Sequence, residues 1–264
     1  MNKNIISLFL IILLPAGALS AQEAEKGSSR GDDVEIAMEL GIKKKLSKKF
    51  STGFEMEYRT RDSGGEFDRI NFSPSLDYKI AKCLKATVGG AYMLVNNESK
   101  IRYRSDGSLK WIRQQKWGPR YRAYAGLTGN VDLGRFNISL RERWQYTYRA
   151  SYTAVRDYYN KASEYNYTKD DKRDSKSYNV LRSRLAIEYD IASCPLSPVA
   201  SVEVYNNMTD SWTTDKVRYS GGIEWKVNKH NAIDLTYYYQ DVHGEDADDD
   251  INSHYISLGY KYKF

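Results

Sequence analysis

Cysteine is nearly absent: Cys83 and Cys194 are the two in a chain of 264 residues, too few for a disulfide scaffold. Three histidines leave little material for a histidine-based metal site. Five prolines exclude a proline-rich stalk. Past the N-terminal segment no apolar run reaches the ~20 residues that a membrane-spanning helix requires. Phenylalanine (7) and tryptophan (5) are also sparse, but tyrosine is not, at 23 residues. With 41% hydrophobic and 28% charged residues the composition is not that of a disordered chain.

The N-terminus reads as an export signal. Met1-Asn2-Lys3-Asn4 is a short positive stretch, Ile5–Leu14 is apolar, and Ala18-Leu19-Ser20-Ala21 supplies the small residues of a cleavage site, placed here after Ala21. Residues 1–21 are therefore set apart from the fold. The net charge of +6 would suit nucleic acid if the chain stayed in the cytoplasm. An exported chain is not expected to meet it, so no nucleic-acid partner is expected.

From residue 33 to the end the polarity alternates with period two, in segments long enough to cross a bilayer as tilted strands. Val34, Ile36, Met38, Leu40 and Ile42 share one face, and Glu35, Ala37, Glu39, Gly41 and Lys43 the other. Phe50, Thr52, Phe54, Met56 and Tyr58 oppose Ser51, Gly53, Glu55, Glu57 and Arg59. The pattern returns near 67–80, 84–95, 119–132, 136–149, 178–191, 198–206, 215–227, 232–241 and 252–264. Connections alternate between short (44–49, 81–83, 133–135, 192–197, 228–231) and longer (61–66, 96–118, 150–177, 207–214, 241–251). Short periplasmic turns and long outer loops are the habit of outer-membrane barrels. The expectation is an all-β, up-and-down transmembrane barrel of about 10–12 antiparallel strands, formed by residues 33–264.

Eleven segments are visible, and the first and last run in the same direction. Single-chain bacterial barrels usually have an even number of strands. That parity directs attention to residues 22–32, a polar tail that reaches roughly 36 Å when extended and is expected either to supply a further strand or to thread the lumen.

The segments Lys44–Phe50, Glu55–Arg59, Leu140–Tyr146, Ser197–Tyr205 and Arg218–Gln240, following an export signal, resemble the bacterial barrels grouped as domain-of-unknown-function family 2490. The resemblance covers nearly all of the chain after residue 21. It implies an outer-membrane location and brings no activity or catalytic residues with it. A terminal strand whose outward face ends Tyr260, Tyr262, Phe264 resembles the signal read by the barrel assembly machinery. The expected partners are that machinery and outer-membrane lipid.

The candidate site is the lumen. Arginine pairs fall on luminal parity in three segments: Arg120 and Arg122, Arg141 and Arg143, Arg182 and Arg184. Carboxylates fall on others: Glu35 and Glu39, Glu55 and Glu57, then Glu188, Glu203 and Glu224. One reading is a packed ion-pair network in which the arginines neutralise Glu39, Glu55 or Glu57. The other is a porin-like channel in which an arginine wall attracts small anionic or sugar-like solutes. A plugged barrel serving surface interaction is the first alternative. A lipid-modifying enzyme at the outer rim, built on His254 with Ser253 or Ser257 or on His243 with Asp241, is the second. No metal ion or other cofactor is expected. The acidic loop Asp241–Asp250 reads as a solvated charge run rather than a calcium loop. Cys83 and Cys194 both fall at the periplasmic rim, where oxidation is favoured, and are the candidates for a disulfide; four strands apart in order, they would have to bond across or around the barrel mouth.

Overall fold

The computed structural model describes residues 33–209, 212–243 and 252–264. The strands are β1 (Asp33–Lys45), β2 (Phe50–Arg61), β3 (Glu66–Lys79), β4 (Leu84–Asn97), β5 (Lys100–Tyr103), β6 (Leu109–Arg113), β7 (Lys116–Leu133), β8 (Phe136–Arg149), β9 (Tyr152–Tyr159), β10 (Tyr165–Arg173), β11 (Lys176–Tyr189), β12 (Leu196–Asn207), β13 (Thr213–Lys226), β14 (Asn231–Val242) and β15 (Ser253–Lys263). Among the described residues eleven strands close into a barrel in the order β1-β15-β14-β13-β12-β11-β8-β7-β4-β3-β2, and four form a small sheet in the order β10-β9-β6-β5. The cleavage site after Ala21, the path of residues 22–32 and most of the acidic loop lie outside the described residues.

The odd count needs no twelfth strand. β1 and β15 run the same way and pair in parallel, from Val34 opposite His254 to Lys43 opposite Lys263. Every other neighbouring pair in the barrel is antiparallel. A parallel ladder occupies the same backbone donors and acceptors as an antiparallel one, so the seam closes the barrel without leaving an edge.

Burial is inside-out relative to a water-soluble protein. Along β15 the residues alternate from Ser253 to Tyr260: Ser253 and Ser257 are 0% exposed and Tyr255 2%, whereas Ile256 and Leu258 are about half exposed. Across the seam Met38 is 56% exposed and its neighbour Ala37 is fully buried. The apolar stripe thus faces outward and the polar stripe inward, the arrangement that a hydrocarbon surround requires. Aromatic rings mark both rims. Phe50–Tyr78, Phe136–Tyr189 and Tyr262–Phe264 lie at the end with the short turns, and Phe67–Trp117, Tyr92–Tyr121 and Tyr121–Tyr148 at the other. Glu142 interrupts the outward stripe of β8 without a bulge: it sits in register opposite Ser183, whose Oγ donates to its Oε2 at 2.6 Å.

The long connections are more ordered than the alternation implied. The spans 96–118 and 150–177, expected as loops, contain two hairpins, β5–β6 and β9–β10, joined through Trp111 opposite Tyr158 and Arg113 opposite Arg156. Aromatic and charged side chains on this sheet engage one another, with Tyr158 stacked on Tyr167 at 4.9 Å and Arg156 lying 4.4 Å above Trp111. The connection expected at 61–66 shrinks to a tight turn in which Asp62, Ser63 and Gly64 all take positive φ (52°, 55° and 84°). The disulfide considered above is not formed. Cys83 and Cys194 are free thiols, in turns separated round the barrel by β4, β7, β8 and β11.

The lipid face yields a direct test. Leu185 (48% exposed) and Ile187 (41%) project outward from β11, and Ala186 between them projects inward. Leu185→Arg is expected to destabilise the barrel by about 2–4 kcal/mol at the bilayer midplane, read from urea unfolding in lipid vesicles. Ala186→Ser is expected to cost less, and equal penalties on both parities would contradict the assigned faces.

Candidate functional site: the charged lumen

Each luminal side chain is placed by the pleat and by cross-strand register. β8 and β11 pair so that Arg143 lies opposite Arg182 and Arg141 opposite Arg184. Four guanidinium groups therefore form a square on one face of two adjacent strands. Like charges directly opposite one another are unfavourable, so the square needs a counter-ion, and β12 supplies it. Glu203, 4% exposed, accepts from Arg141 Nη2 at 2.7 Å, from Arg182 Nε and Nη2 at 3.2 and 3.0 Å, and from Tyr205 Oη at 3.0 Å. Arg218 Nη1 stands 4.0 Å from the same carboxylate. Arg182 also lies 4.6 Å over the Tyr205 ring, a cation–π contact across the β11–β12 ladder.

A second cluster centres on Arg59. It meets Glu57 at 2.8 Å and Glu35 at 3.4 Å, and it lies 4.2 Å over the Tyr255 ring. Tyr255 stacks on Tyr238 at 4.3 Å. Arg218 donates to Gln240 Oε1 through Nη2 at 2.6 Å, and Gln240 Nε2 donates to Ser253 Oγ at 2.8 Å. Lower in the barrel Lys261 bridges Asp234 at 2.9 Å and Glu224 at 3.4 Å.

Between these clusters lies a cavity of about 350 Å³. Ten basic side chains and six carboxylates line it, an excess of four positive charges. Within the square, Arg143 and Arg184 have no carboxylate partner among the described residues. Arg143 rests 4.6 Å over the Tyr124 ring, and Arg184 Nε donates to Ser201 Oγ at 3.2 Å. The Nε of Arg141 is buried without an acceptor among the described residues. Gly89 makes the Tyr124 platform fit, since a Cβ there would stand 2.4 Å from the tyrosine Cζ and Oη.

The sequence-predicted residues divide. Arg122, Arg141, Arg143, Arg182 and Arg184 line the cavity, with Glu39, Glu55, Glu57, Glu203 and Glu224. Arg120 does not: it is buried beside Met93 and opposite Arg149, toward the rim with the long connections. Glu35 is buried against Arg59, and Glu188 pairs with Lys226 at 2.8 Å near the opposite rim. The counter-ion of the arginine square is Glu203, not Glu39, Glu55 or Glu57 as the packed reading had it. Arg59, Arg69, Arg218, Tyr124, Tyr238 and Asp234, not among the candidates named from the sequence, also line the cavity. Luminal parity was the available signal for all six. What parity lacks is the register that brings residues from different strands to one height.

The rim histidines do not form the suggested diads with serine. Ser253 and Ser257 point into the lumen, fully buried, whereas His254 lies on the outward face with its Nδ1 2.6 Å from Tyr237 Oη. His243 Nε2 stands 3.4 Å from Asp241 Oδ2.

The family described as "Protein of unknown function (DUF2490)" matches residues 38–252. No curated protein matches the chain. A solved porin, NanC in a rhombohedral crystal form, is similar at 13% identity over 88% of this chain and 99% of that one, with a TM-score of 0.48.

Glu203 is expected to be the stabilising member of the lumen. Glu203→Gln leaves three guanidinium groups without their shared carboxylate and is expected to cost about 3–5 kcal/mol in barrel unfolding. Arg143→Gln gives up one ring contact and is expected to cost about 1 kcal/mol. Comparable losses for the two would contradict the assignment of Glu203 as the counter-ion.

Proposed function

Because the chain belongs to the DUF2490 family of proteins of unknown function, its role has to be argued from its own lumen, and we propose that it is a porin-like outer-membrane barrel whose narrow lumen admits small anionic solutes. The export signal ending at Ala21, the outward apolar stripe, the two aromatic rims and the terminal Tyr260, Tyr262 and Phe264 support the location. They also support the assembly machinery and outer-membrane lipid as partners. The role is that of a passive conduit, not a catalyst.

The observation that carries the proposal is the pair Arg143 and Arg184, both lining the cavity and neither ion-paired among the described residues. An anion entering the lumen exchanges part of its hydration shell for guanidinium donors. The surrounding excess of positive charge raises its local concentration, most strongly at low salt. Eleven strands lie between the eight that side chains just fill and the sixteen that leave a wide channel. A cavity of about 350 Å³ suits one small molecule.

A specific observation favours a second reading, a barrel closed at one end. Toward the rim with the long connections the luminal side chains pack tightly: Thr147 and Gln240 are 0% exposed, and Met93, Gln145 and Tyr255 2%. On that reading the cavity is a cup open to the short-turn side.

Conductance of the purified barrel in a planar bilayer separates the two. The expected result is a small anion-selective conductance, with reversal potential moving toward cations in Arg143→Gln/Arg184→Gln while the barrel still closes. Unchanged selectivity in a conducting double variant would remove these arginines as the filter, and no conductance at all would support the closed barrel.

A further inference from the structure

Two lumen carboxylates share the condition of Arg143 and Arg184. Of the six that line the cavity, Glu57 is held by Arg59, Glu203 by Arg141 and Arg182, and Asp234 and Glu224 by Lys261. Glu39 accepts one hydrogen bond, from Ser257 Oγ at 2.8 Å. Neither Glu39 nor Glu55 has an ion-pair partner among the described residues.

Their placement is not random. Glu39 lies opposite Glu57 and Glu55 opposite Gly41, so Glu39 and Glu55 are diagonal neighbours on β1 and β2. Arg143 and Arg184 are diagonal neighbours on β8 and β11. Round the barrel, β15, β14, β13 and β12 separate β1 from β11, and β3, β4 and β7 separate β2 from β8. The uncompensated acids and the uncompensated arginines therefore face each other from opposite walls of one cavity.

We propose that this cavity is a binding site for a small zwitterion, its carboxylate held by Arg143 and Arg184 and its ammonium group by Glu39 and Glu55. The inference rests on the reading of the lumen as a solute site and names the class of solute. A zwitterion of suitable length regains charge-assisted hydrogen bonds at both ends for the water it gives up. A monoanion regains them at one end, and a monocation meets the arginine wall. Charge complementarity of this kind sets specificity against the like-sized ion that lacks one end.

The test is calorimetric titration of the folded full-length barrel in a non-ionic detergent. The probes are the ω-amino acids from β-alanine to 6-aminohexanoate, each beside the fatty carboxylate that carries methyl in place of ammonium. At least one ω-amino acid is expected to bind about tenfold more tightly than its monoanionic control. Glu39→Gln/Glu55→Gln should abolish that difference, and Arg143→Gln/Arg184→Gln should weaken both ligands. Heat-modifiable gel migration confirms closure of each variant. Should the double carboxylate variant not close, Glu55→Gln alone, which forfeits no hydrogen bond, takes its place. Equal binding of every pair by the intact protein, or a preference that survives loss of the carboxylates, would overturn the proposal. Binding is read here without transport. A barrel that prefers the zwitterion but passes no current overturns the conduit alone, and one that passes anions without that preference overturns the zwitterion site alone.

Discussion

Hydrocarbon offers no water to an unpaired peptide group, so every spanning strand must find a hydrogen-bonded neighbour on both sides. Most features of this molecule follow from that constraint. The first and last strands run in the same direction, and they meet that demand by pairing in parallel over Val34–Lys43 and His254–Lys263. Closure with an odd number of strands in turn determines which residues look at one another across the lumen. A further strand between β1 and β15 would rotate the Glu39 and Glu55 wall away from the arginine square.

The same solvent sorts the side chains. Period-two alternation sends Met38, Leu185 and Leu258 to the lipid and sends Glu39, Arg184 and Ser257 to the interior. The interior thus inherits far more charge than a soluble core would hold. Much of that charge is engaged within the wall, by Glu203 shared among three arginines and by Lys261 shared between two acids. Two arginines and two glutamates without an ion-pair partner among the described residues, on opposite sides of the cavity, are what distinguish a site from a scaffold. Outside, Glu142 is the exception to the sorting, and Ser183 meets it with a hydrogen bond.

The barrel was legible in the sequence because its signal is local. Alternation from Val34 to Ile42 and from Ile256 to Phe264, and short turns such as 46–49 and 80–83, need no long-range information. The seam was not legible, because a habit of even strand counts argued against it and nothing in the local pattern of β1 or β15 reports a parallel neighbour. The outer hairpins escaped because β5 is exposed along its whole length and β10 along most of its own, so neither has an apolar stripe to alternate. Strand parity turns side chains toward the lumen but does not fix how they pair. Glu203 lies opposite Arg184 yet binds Arg182 and Arg141, a choice of side-chain reach that no strand pattern contains.

The opposition of charges in the lumen depends most on the seam, which sets the walls against each other. Met38 and Leu258 are register partners across it, both facing lipid. In Met38→Cys/Leu258→Cys, with both native cysteines replaced by serine, a short thiol cross-linker applied to the assembled barrel is expected to join the two positions. Cysteines at Met38 and Ile233, separated by the width of β15, should remain unjoined. Failure of Met38 and Leu258 to cross-link in a closed barrel would mean that another strand lies between them, and would contradict both the eleven-stranded closure and the opposition of charges built on it.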